Sequence, residues 1–189
     1  MIEAIKQIDT EVFLYLNSLH SPLFDKIMYF ISYNIYFAGG IILFLFALSI
    51  KEFKKKFLGI FFFCLLAFGL SDGISSRIFK PGFERLRPCH EPSIASQVNL
   101  AGQHCWGGKY GFVSSHAANS FALATFFWLL LKMRYSFMWL MFVHATLVSY
   151  SRIYLGKHYP LDLIGGAMLG ISMAYFSYFL LKKFTLKIH

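Results

Sequence analysis

Charge is scarce in this chain: 14% of its 189 residues are Asp, Glu, Lys or Arg, against 57% that are hydrophobic. A soluble domain carries about 25% charged residues, so this surface is too poor in charge to sit in water. Intrinsic disorder needs high charge and few apolar residues, and is excluded on the same ground. With three cysteines and five prolines, the chain is neither a disulfide-packed miniprotein nor a collagen-like fibre. No internal repeat, low-complexity tract or shift of composition marks a second domain, so residues 1–189 read as one unit. What is plentiful is aromatic and aliphatic, with 23 Phe alone. The class left is an all-α, polytopic transmembrane helix bundle.

A membrane-crossing helix needs roughly 20 mostly apolar residues. Uncharged runs occur at Ile27–Ile50, Phe57–Ser71, Ala117–Leu131, Tyr135–Ser151 and Leu163–Leu181. The second continues as a helical pattern to Phe79. About five spans are expected, and several reach full length only if polar residues at one end are included. In residues 1–20, Ile5, Ile8, Val12, Leu16 and Leu19 recur at helical spacing among Glu3, Lys6, Asp9 and Glu11. That pattern predicts an amphipathic helix in the membrane interface, and it lacks the basic start and cleavage site of a signal peptide.

Five spans place the termini on opposite sides. One side holds the Lys51–Lys56 loop, the Lys132–Arg134 turn and the C-terminal tail, with nine basic residues and Glu52 as its one acid. The other also has nine basic residues, together with the remaining eight acids. Lys80, Arg87 and Arg152 on that second side have a chemical reason to be there. Setting them aside puts the first side in the cytoplasm by the positive-inside rule. The Lys51–Lys56 run then anchors to acidic lipid rather than to nucleic acid. Cys89 and Cys105 fall on the second side; paired, they would close a loop of about 17 residues, worth roughly 3 kcal/mol. Two free thiols are the alternative.

Three polar clusters interrupt the apolar chain, all on the second side. They are Lys80-Pro-Gly-Phe-Glu-Arg-Leu-Arg87-Pro88, Ser114-Ser115-His116, and Ser151-Arg152-Ile-Tyr-Leu-Gly-Lys-His158-Tyr-Pro-Leu-Asp162. Lys80, Arg87 and Arg152 supply fixed cations, and Arg presents a planar fork matched to phosphate oxygens. Ser114 sits at a helix N-cap position, so the amides of Ser115 and His116 are unpaired donors at a helix start, a ready anion site. With two histidines, one can attack phosphorus while the other protonates the leaving oxygen. Asp162, four residues past His158, can accept its Nδ1–H and leave Nε2 free.

Lys-x6-Arg-Pro, then Ser-x-His, then Ser-Arg-x5-His-x3-Asp resembles the type 2 phosphatidic acid phosphatase (PAP2) or lipid phosphate phosphatase family, over roughly residues 70–170. The run Tyr154-Leu-Gly-x-His158-Tyr-Pro-x-Asp162-x-x-Gly165-Gly166 is especially similar. The resemblance implies a bacterial membrane phosphatase with a metal-free phosphohistidine mechanism and no cofactor. By it, His158 is the nucleophile, Asp162 its orienting partner, and His116 the general acid and then base. Lys80, Arg87, Ser114, Ser115 and Arg152 bind the phosphate. Implied substrates are undecaprenyl diphosphate, phosphatidylglycerol phosphate or lipid A 1-phosphate, met by a site on the periplasmic face of the inner membrane, with residues 80–112 as an extracytoplasmic loop over it. Where that family has Pro-Ser-Gly-His, this chain reads Val113-Ser114-Ser115-His116, so the amide contact at 115 departs from the pattern. The same elements also resemble vanadium haloperoxidases, which are soluble, and would serve a non-catalytic lipid-phosphate binder or transporter.

Outside these clusters, structural roles are expected. Asp72 and Arg77 are read as a pair bridging helix ends, His144 as a hydrogen-bonded core residue, and Gly165, Gly166 and Gly170 as close helix contacts.

Overall fold

The computed structural model describes residues 2–185, and among them there is no strand, only an isolated bridge between Leu86 and Tyr110. Helix α1 (Ile2–Ser18) comes first. Of the apolar residues expected on one face, Ile5, Ile8 and Val12 are exposed, whereas Leu16 packs inward against the cluster of Phe13, Ile94 and Tyr159. Its polar residues divide. Asp9, Phe13 and Asn17 lie one turn apart on one face and are all buried. Phe13 packs edge-on to Tyr159, with ring centroids 5.3 Å apart. Asn17 Nδ2 donates to the carbonyls of Asn99, Ile153 and Tyr154 at 2.9–3.0 Å, and its Oδ1 accepts the Asn99 amide. The first helix is thus fastened to the rest of the protein along a full face.

The first apolar run, expected as one helix from Ile27, is two: α2 (Pro22–Tyr33) and α3 (Ile35–Phe53). Asn34 divides them. Its backbone N–H closes α2 on the Phe30 carbonyl at 2.9 Å, and its side-chain oxygen accepts the Phe37 amide at 2.8 Å to open α3. A short polar side chain that competes for backbone groups ends one helix and caps the next. Helix α4 (Phe57–Ile74) runs through a π-turn at Ser75–Phe79 into the short α5 (Lys80–Phe83), so the helical pattern extends past Asp72 and Arg77 to the first polar cluster. After a long irregular segment come α6 (Ser115–Leu131), α7 (Leu140–Tyr154) and α8 (Pro160–Phe184). The stretch Ile35–Phe83 and α8 are long and apolar enough to cross a membrane.

The tightest packing is between α6 and α8. A Cβ at Gly170 would stand 2.1 Å from the Ala118 carbonyl oxygen, and one at Gly166 would stand 2.6 Å from that of Ser114. Only glycine lets these backbones meet. Farther along the same helices, Phe126, Phe127, Leu131 and Leu181 form a core with Leu45 and Ile60. At that end Glu52 accepts from the Tyr135 hydroxyl at 2.8 Å and pairs with Arg134, also at 2.8 Å.

Candidate active site

The third polar cluster turns the chain from α7 into α8. Pro160 occupies the first helical turn, where a missing N–H costs nothing. Asp162 Oδ2 accepts the Tyr159 amide at 3.1 Å and lies 3.4 Å from His158 Nδ1. One carboxylate therefore caps the helix and faces the imidazole. Asp162 is fully buried and His158 is 2% exposed. Gly111 packs directly against them: a Cβ there would sit 3.0 Å from Asp162 Oδ2 and 3.5 Å from His158 Nδ1.

The other clusters close on the same spot. The Ser114 amide donates to the Asp162 carbonyl at 2.9 Å, and the Gly111 amide donates to that of Arg85 at 2.8 Å. Lys80, at the start of α5, donates to Ser115 Oγ at 2.7 Å, and Ser115 Oγ also meets Ser75 Oγ. The Ser115 hydroxyl thus engages the first cluster. Arg87 is buried and donates to the carbonyls of Tyr110 at 3.2 Å and Trp106 at 3.4 Å. Arg152, near the end of α7, is 3% exposed; one guanidinium nitrogen donates to Ser32, and the group lies 5.2 Å from the Tyr33 ring centre. Its Nε and the Ser114 Oγ are buried without a hydrogen-bond partner among the described residues. Buried polar atoms ordinarily have partners, so these two are available to an anion.

Electrostatics agrees with the geometry. Burial, followed by the charges of Arg152, Arg87 and Lys80, holds the His158 imidazole well below its ordinary value of 6.5. Burial and the Arg152 charge also pull the Arg87 guanidinium down. A fourth cation, Lys157, lowered to about 8 by burial, Arg152 and Arg87, donates to the His104 carbonyl at 2.6 Å. Several cations crowd a space in which the buried Asp162 carboxylate is already engaged by Arg85. An oxyanion relieves that repulsion.

His116 lies in the first turn of α6, within electrostatic reach of His158. Beside it a cavity of about 400 Å³ runs from Ser115, His116 and Asp72 toward Ile41, Leu45 and Phe68. Asp72 does not pair with Arg77; its Oδ1 accepts from Asn119 at 3.0 Å. Residues five apart on a helix point to different sides. His144 lines the same cavity, edge-on to Phe37. Cys89 and Cys105 are joined in a disulfide.

A sequence profile for the PAP2 superfamily matches residues 57–186. The chain belongs to the PAP2 superfamily. It is 36% identical over 177 residues to the lipid A 4'-phosphatase of Porphyromonas gingivalis, covering 94% of this chain and 74% of that protein. With the lipid A 4'-phosphatase of Bacteroides thetaiotaomicron it shares 34% over 190 residues, 100% of this chain and 83% of the other. Its fold is similar to that of a transmembrane PAP2-type phosphatidylglycerolphosphate phosphatase from Bacillus subtilis. That match has a TM-score of 0.71 at 24% identity, over 98% of this chain and 88% of that one. As a PAP2 protein the chain is a phosphatase, a hydrolase of lipid phosphates in a membrane.

Residues beyond the PAP2 motifs also reach this site. Arg85, two positions before Arg87, donates to Asp162 Oδ1 at 2.9 Å and to Asp9 Oδ2 at 2.6 Å. Its place inside the first polar cluster is a sequence signal. Asp9 carries none beyond being an acid on a face otherwise read as solvated.

Proposed function

We propose that this enzyme removes a terminal phosphate from a lipid A-type glycolipid through a phosphohistidine, on the periplasmic face of a bacterial inner membrane. The carrying observation is the convergence of Lys80, Arg87 and Arg152 on buried His158, with Ser114 Oγ and Arg152 Nε buried and unpartnered beside them. The substrate class is supported by two lipid A 4'-phosphatases that resemble the chain over nearly its whole length. Helices α2 with α3, α4, α6, α7 and α8 are assigned as five spans. That topology places the clusters on one side, residues 80–112 over the pocket, and α1 in the interface. The cavity beside His116 is assigned to the part of the lipid next to the phosphate.

In the first step the His158 Nε2 lone pair forms a bond to phosphorus as the bond from phosphorus to the lipid oxygen breaks. The leaving alkoxide takes a proton from His116. The cationic side chains of Lys80, Arg87 and Arg152 and the amides at the start of α6 hold the equatorial oxygens, where charge accumulates. Asp162 accepts from Nδ1–H and stabilises the charge that develops on the ring. In the second step His116 takes a proton from water, the water oxygen attacks phosphorus, and the P–N bond breaks to free inorganic phosphate and His158. Water loses one proton to His116, which restores the one donated earlier.

The test is phosphate release by purified protein from lipid A bisphosphate, undecaprenyl diphosphate and phosphatidylglycerol phosphate, with acid-quench trapping of label on protein. Release strongest with lipid A, vanadate inhibition, indifference to EDTA, and label absent in His158→Ala are expected. Normal turnover by His158→Ala would sink the nucleophile assignment. Binding without release would make the protein a carrier, and halide oxidation dependent on added vanadate would make it an oxidase. Preference for another lipid would overturn the substrate class alone.

A further inference from the structure

We infer that Asp9 and Arg85 are positioning residues of the phosphoryl-transfer reaction: Asp9 of the first helix holds Arg85, and Arg85 holds the carboxylate of Asp162 in register with His158. The inference rests on the phosphohistidine chemistry proposed above.

A terminal carboxylate rotates in a broad well, and one hydrogen bond does not fix it. Asp162 has both oxygens assigned. Oδ2 takes the Tyr159 amide and faces His158 Nδ1, while Oδ1 takes Arg85 Nη1 at 2.9 Å. The guanidinium is itself held on further sides. Its Nη2 donates to Asp9 Oδ2 at 2.6 Å, and its carbon lies 4.1 Å from the centre of the Tyr159 ring. Asp9 Oδ1 accepts the Leu161 amide at 2.9 Å, so Asp9 grips the first turn of α8 and the arginine together. The chain of contacts reads Leu161–Asp9–Arg85–Asp162–His158 and brings three separate stretches of sequence together.

Charge argues the same way. Two carboxylates share one guanidinium in a largely buried place, with Asp9 4% exposed and Asp162 at zero. Without Arg85, two buried acids would lose the one cation that hydrogen-bonds both of them. Removing the arginine therefore withdraws both the geometric stop and the charge that keeps Asp162 an acceptor. Asp9 also lies outside residues 57–186, which the PAP2 profile matches. The first helix, fastened through Phe13 and Asn17, carries a part of the reaction's scaffold rather than a lipid anchor alone.

The experiment is a double-mutant cycle on the full chain, reading kcat and KM for phosphate release from lipid A bisphosphate in detergent micelles. Arg85→Met and Asp9→Ala are expected to lower kcat by about 10–100-fold with little change in KM, the scale of lost positioning partners. Arg85→Lys, a point charge that cannot fork between two carboxylates, is expected to recover only part. In an Asp162→Asn background the same substitutions should cost little more, because the partner they serve is already gone. Lys6→Ala on the same helix should leave kcat unchanged. If Arg85→Met does not fold, as judged by its unfolding temperature in detergent, Asp9→Asn carries the cycle. It retains an oxygen for Leu161 and removes only the charge. Wild-type kcat in Asp9→Ala and Arg85→Met, or their full losses repeated in Asp162→Asn, would overturn the inference while His158→Ala stays inactive. An active His158→Ala would overturn the chemistry it rests on as well.

Discussion

At His158, burial is the controlling fact. Desolvation and three neighbouring cations hold the ring toward its neutral form in the folded protein, which leaves the lone pair that the proposed attack requires. In the unfolded chain the same ring binds a proton below about 6.5. The unfolded state therefore takes up more protons as pH falls through that value, and stability declines with it. The unfolding temperature in detergent should drop from pH 7.5 to pH 5, and the drop should shrink in His158→Gln. Lys157 gives a second pH effect of a different kind. Lowered to about 8, it is a cation below that pH and neutral above it, so KM for a lipid phosphate should rise above pH 8. In Lys157→Gln that rise should be absent, and KM should already be elevated at pH 7. What made the candidate site legible was the resemblance of its spacing to the PAP2 pattern: Lys80, Arg87, Ser114, His116, Arg152, His158 and Asp162 stand at that family's intervals. Asp9 and Arg85 were not legible together, because they are 76 positions apart and nothing local marks either for the other.

Among the elements, the segment between α5 and α6 is held from below by the site itself. Arg87 donates to the Trp106 carbonyl and Lys157 to that of His104, and the Cys89–Cys105 bond closes the loop between them. A closed loop of this length is worth about 3 kcal/mol in the chain-entropy model. The double variant Cys89→Ser with Cys105→Ser should melt at lower temperature in detergent and show a higher KM, since Arg87, in the proposed phosphate-binding set, and Lys157 lose fixed acceptors. The helices themselves were readable from apolar runs, and α6 begins at Ser115 as its polar lead-in implies. The break at Asn34 was not readable as such. A lone Asn in an apolar run is compatible with a continuous helix, and only the two hydrogen bonds it makes with Phe30 and Phe37 decide otherwise. The inward turn of Asp9 and Asn17 on α1 escaped for a related reason: polar periodicity cannot distinguish a face toward water from one that caps buried backbone.

For the whole molecule, the proposed sidedness rests on the positive-inside rule. Lys51, Lys54, Lys55, Lys56, Lys132 and Arg134 fall in the two connections assigned to one side, while the cations of the candidate site fall on the other. With the proposed orientation, Lys109→Cys should react with an impermeant maleimide in intact cells, and Lys55→Cys should react only after lysis. The reverse pattern would invert the topology. The glycine contacts of Gly166 and Gly170 with Ser114 and Ala118 have a further consequence at this scale. They weld the helix bearing His116 to the helix that receives His158, so the two imidazoles ride on one stiff frame. Spans that tilt to match thicker or thinner bilayers would carry that frame as a unit. Catalytic turnover should hold nearly constant across vesicles of different acyl length, while the affinity for substrate, set by how deep the mouth of the enzyme rides, varies.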